Sequence, residues 1–66
     1  MGIATVIELE RWFDKVDDLV DLRNLALALQ DQLRLEQDMY SVFLLQQLLD
    51  TVCDKLMREY QAELTE

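Results

Sequence analysis

Histidine and proline are absent from this 66-residue chain, and glycine and cysteine occur once each. Without histidine no ordinary zinc site can be assembled. Serine and threonine are few as well: Thr5, Ser41, Thr51 and Thr65. A nucleophile paired with a base therefore cannot be built in the usual way. Gly2 cannot by itself form a loop that cradles phosphate. A lone Cys53 permits no internal disulfide, and the default for such a chain is a reduced thiol in the cytoplasm. The EF-hand calcium-loop pattern is missing too. These absences predict a protein that is not an enzyme and takes neither a cofactor nor a metal.

Positive charge is also scarce. Six basic residues face 14 acidic ones, a net charge of −8. Binding to a phosphate backbone needs clustered Lys and Arg, so no direct nucleic-acid contact is expected. Anionic membrane surfaces are disfavoured for the same reason. No apolar run is long enough to span a bilayer. The N-terminus lacks the basic start of a secretion signal. Met1-Gly2 matches the opening of a myristoylation motif, but Val6 stands where that motif wants Ser or Thr.

What the chain does have is apolar material in helical order. Hydrophobic residues make up 52% of it, and leucine alone supplies 14 positions. A chain of this length forms one domain at most, 1–66. Such a domain buries only about 60% of its unfolded surface. Self-association or a tight partner is the natural way to cover the rest. The fold class expected is all-α: a small helical bundle of two to three helices, completed by homodimerisation.

The longest stripe lies within Met39–Leu64. Val42, Leu45, Leu49, Val52, Leu56 and Tyr60 recur at spacings of three and four, widened by Leu48, Cys53, Met57 and Leu64. Upstream, Leu9, Trp12, Phe13, Val16, Leu19 and Val20 form a first face, and Leu22, Leu25, Ala26, Leu29 and Leu33 a second. Thr5 and Glu8 fit a capping box, which starts the first helix at Val6. Arg23 and Asn24 break its stripe, so it ends near Val20 or Asp21, with Asp21 capping the next helix. The second and third faces would be nearly opposed on one continuous helix. A turn near Glu36–Met39 resolves this, with Asp38 as a cap. The predicted helices are 6–20, 22–36 and 39–63.

Candidate partner-binding residues fall into three groups. Phe43 and Leu44 lie off the main stripe of the long helix and imply a second contact there. Trp12 and Phe13 suit a core or dimer interface, and would be a hot spot if exposed. Glu10, Asp14, Asp17, Asp18 and Asp21 would project from one side of the first helix. In that placement Asp17 and Asp18 sit at a helix C-terminus, where the macrodipole disfavours negative charge. A basic partner would compensate them.

The functional expectation is a small acidic protein–protein interaction module, a dimeric regulator, adaptor or inhibitor of a larger protein partner, for which a basic protein is a candidate. Two alternatives use the same residues differently. One is an acidic nucleic-acid mimic that blocks a basic groove. The other is a structural subunit of a larger assembly.

Overall fold

A computed structural model describes the backbone of residues 2–65 and the side chains of residues 4–64. Among the described residues it contains three helices and no strand: α1 Gly2–Lys15, α2 Leu19–Leu35 and α3 Met39–Thr65. The chain runs up, down and up. Thr5 and Leu9 share a groove with Ala28, Asp31 and Gln32, and Trp12 reaches Asp21, so α1 and α2 are antiparallel. Val6 meets Leu44 and Leu48, and Phe13 lies under Lys55, so α1 and α3 run the same way. The α2–α3 hairpin has the most extensive contact of the three pairs.

The core forms where the three predicted stripes converge. Val6, Leu9 and Val16 come from α1 and its end, Leu22, Leu25, Ala26 and Leu29 from α2, and Leu45 and Val52 from α3. Trp12, Phe13, Leu33, Leu44, Leu48, Leu49 and Leu56 pack around them, partly buried. This bears out the all-helical small bundle and places each stripe's centre inside.

Both turns are set by an aspartate, one expected and one not. Asp38 does cap α3. Its Oδ2 accepts the Ser41 N–H at 3.0 Å and the Ser41 hydroxyl at 2.9 Å. Ser41 is fully buried, so this one carboxylate oxygen satisfies two donors cut off from water. Glu36 closes α2: its backbone is extended, and its Oε1 accepts the N–H groups of Gln37 and Asp38 at 3.1 Å each.

The first turn corrects the expected boundary. α1 ends at Lys15, not near Val20, and α2 starts at Leu19. The cap of α2 is Asp18, not Asp21: Asp18 is extended, with φ −135° and ψ 163°, and its Oδ1 accepts the Asp21 N–H at 2.7 Å. A short acidic side chain that bonds the backbone three residues on competes with continued helix, and here it prevails. Val16 N–H donates to the Phe13 carbonyl at 3.3 Å, tightening the last turn of α1. As a result Leu19 and Val20 belong to α2, and Val20 is 70% exposed rather than part of the first face. The capping box at Thr5 is not formed either, since α1 already runs from Gly2. Nothing in Gly2–Thr5 forces a stop, and a hydroxyl signal caps only where the backbone leaves the helix.

The molecule is long for its mass. Its extents are 42 × 17 × 14 Å and its radius of gyration is 12.4 Å, against about 10.8 Å for a typical domain of this length. The long axis is α3, whose residues span roughly 40 Å at the usual helical rise. Accessible surface is 5017 Å², where a folded chain of 7.8 kDa exposes about 4,400 Å². The shape leaves uncovered surface, and its location defines the candidate site.

Candidate functional site

Large apolar side chains stand in solvent at the two ends of α3. At the α2–α3 turn these are Leu35 at 70%, Met39 at 84%, Tyr40 at 59% and Phe43 at 56% exposure. At the opposite end they are Met57 at 64%, Tyr60 at 56% and Leu64 at 72%. Leu56, Met57, Tyr60, Gln61 and Leu64 line a shallow, apolar groove there. Every described side chain after Leu56 is exposed, although the α1–α2 turn and the start of α2 still line a cleft with Glu59 and Glu63.

The expected pair Phe43 and Leu44 is split by the fold. Leu44 is half-buried and packs against the core, in a groove with Val6, Glu10, Gln47, Leu48 and Thr51. The second contact implied by its position off the stripe is α1. Phe43 remains on the open side. Trp12 and Phe13 are both half-buried against the core. The Trp12 indole N–H donates to Asp21 Oδ1 at 3.1 Å, which ties α1 to the first turn of α2. The Lys55 ammonium sits 5.4 Å from the centre of the Phe13 ring, a cation–π distance.

The acids do not share one helix face. Glu10 and Asp14 are on α1, Asp17 is in the turn, Asp18 is a cap and Asp21 lies in the first turn of α2. Asp18 and Asp21 therefore meet a helix N-terminus, where the macrodipole favours negative charge. The predicted unfavourable placement of Asp18 is overturned, and with it the need for a partner to compensate that residue. Asp17 and Asp18 instead line a cleft with Val16, Leu19 and Leu22 on one side and Lys55, Glu59 and Glu63 on the other. Sequence reasoning missed Glu59 and Glu63 as companions of the turn acids. The signal that could have found them is the short α1–α2 turn, which lays its residues beside the far end of α3.

Cys53 is a half-buried free thiol. Among the described residues no group of three or more Cys, Asp or Glu is arranged to hold a metal ion, and no helix is long and apolar enough to cross a membrane. Comparison of the chain with family models, curated proteins and solved structures finds no match.

Proposed function

We propose that this chain is a protein-interaction module that works as a homodimer and docks on a larger protein as a regulator, adaptor or inhibitor. The observation that carries this reading is the apolar surface at the two ends of α3: six large side chains of α3, with Leu35 at the end of α2, are more than half exposed, against two elsewhere among the described residues, Val20 and Leu27. Exposed apolar surface in excess of what shape alone requires marks contact sites. The α2–α3 turn end suits the subunit contact: Met39 and Phe43 stand one helical turn apart, and Tyr40 and Phe43 are neighbours on the same side. Its nearest charges are Asp31 and Arg34, bonded to each other at 2.8 Å, and Glu36 and Asp38, whose carboxylates accept hydrogen bonds from the turn.

The acidic-mimic alternative draws less support. Asp18 and Asp21 are engaged in a cap and in the Trp12 bond, and no single face carries all five acids.

Sedimentation velocity at micromolar concentration tests the dimer. A dimer is expected, and the double variant Met39→Gln, Phe43→Gln should sediment as a folded monomer. A wild-type monomer would remove the dimeric part of the proposal. Affinity capture from the native host, compared between wild type and a Met57→Gln, Tyr60→Gln variant, tests docking. Failure of the wild type to retain any protein specifically would reject the module reading.

A further inference from the structure

Resting on the interaction-module reading, we infer that the free end of α3 receives a basic amphipathic helix of another protein. The apolar line there is Leu56, Met57, Tyr60 and Leu64, linked by steps of three and four, so it forms one continuous ridge and groove. The inner margin of that line is acidic, and the outer margin is mixed. On the outer side Asp54, three positions before Met57, is engaged by Arg58, and Gln61 continues the margin along the groove. Glu59 and Glu63 border Leu56 and Tyr60 on the inner side, where Asp17 and Asp18 extend the acidic wall across the cleft. Of the nearby cations, Arg58 is already paired with Asp54 at 2.7 Å, and Lys55 lies over Phe13.

An apolar line beside an acidic wall selects its occupant. A helix laid in the groove meets it with apolar anchors at helical spacing, and its flanking positions face carboxylates. Lys and Arg there gain charge-assisted contacts, while Asp and Glu are repelled. A second copy of this chain brings Arg58 already paired with Asp54 and Lys55 already over Phe13, so self-pairing on this face gains few such contacts. Met57 supplies a side chain that adapts its shape to different anchors.

The test uses the full chain and labelled synthetic peptides followed by fluorescence anisotropy. One peptide is helical, with a leucine face flanked by Lys and Arg. A second has the same composition scrambled to destroy the face, and a third keeps the leucine face but carries Glu flanks. The first should bind, weaken as salt rises, and lose affinity by about tenfold or more with Met57→Gln, Tyr60→Gln, as truncation of central anchors does. Met39→Gln, Phe43→Gln should leave it bound. Equal binding of the scrambled peptide would overturn the inference, since net charge would then explain everything. So would stronger binding of the Glu-flanked peptide, or insensitivity to the tail substitutions. Conversion of a dimer to a monomer by the tail variant would also overturn it, by making this end the subunit contact. Absence of peptide binding alongside specific capture of a host protein would reject the basic helix and leave the module reading in place. Circular dichroism confirms that each variant is folded, which is expected because the altered side chains are exposed.

Discussion

Over Met39–Leu56 the long helix hides Ser41, Leu45 and Val52 completely, whereas over Met57–Leu64 every side chain stands in solvent. The two stretches share one apolar period, carried through without a glycine or proline. What differs is the company. α1 and α2 flank the first stretch, and beside the second only the turn that joins them and the start of α2 come near, across a cleft at Glu59 and Glu63. A periodic stripe states that a helix face needs cover; it does not state that the same chain supplies it. In the first stretch the stripe is a core, and in the second it stands open to solvent.

The contrast can be broken most directly by cutting one leucine. Leu45 is fully buried at the junction of all three helices, so Leu45→Ala should cost about 2–5 kcal/mol. Met57→Ala, on the exposed stretch, should stay within about 0.5 kcal/mol of wild type. Urea unfolding of both variants measures the difference. Similar losses at the two sites would mean that the tail is covered in the free protein.

A middle-sized effect is expected where α3 begins. Asp38→Ala removes the acceptor of two Ser41 donors, one from the backbone and one from a buried hydroxyl. Losing the cap and leaving a buried donor unmet should together cost about 1–3 kcal/mol. Replacing Ser41 with Ala in the same variant should recover part of that loss, because the orphaned hydroxyl goes with it. No recovery in the double variant would show that the buried hydroxyl contributes little.

The smallest effect sharpens the picture of the other turn. Asp18→Asn should change stability by only a few tenths of a kcal/mol, since Asn caps a helix about as well as Asp. Asp18→Ala should cost about 0.5–2 kcal/mol, as cap removal does. Thermal melts that rank Asn close to wild type and Ala below it support the cap. A clear gain on neutralising Asp18 would instead fit an acid held against the negative end of α1.

Periodicity and composition determined the all-helical class, the three apolar stripes, the break before Met39 and the capping role of Asp38. Each is a local matter: a helix shows its buried face through spacing, and a short acid before a helix bonds the N–H groups that follow it. The break between α1 and α2 was misplaced for the same reason it could be sought at all. Asp18 and Asp21 are both competent caps, and a stripe running on through Leu19 and Val20 concealed which one stops the helix. Only the tertiary structure decided that, by tying Trp12 to Asp21 and turning Val20 outward. It alone separated Leu44 from Phe43, because burial depends on whether a second helix passes that side. It also left the end of α3 bare beside an acidic margin, because helix length is written in the chain, but the alignment of one helix against two others is set by packing.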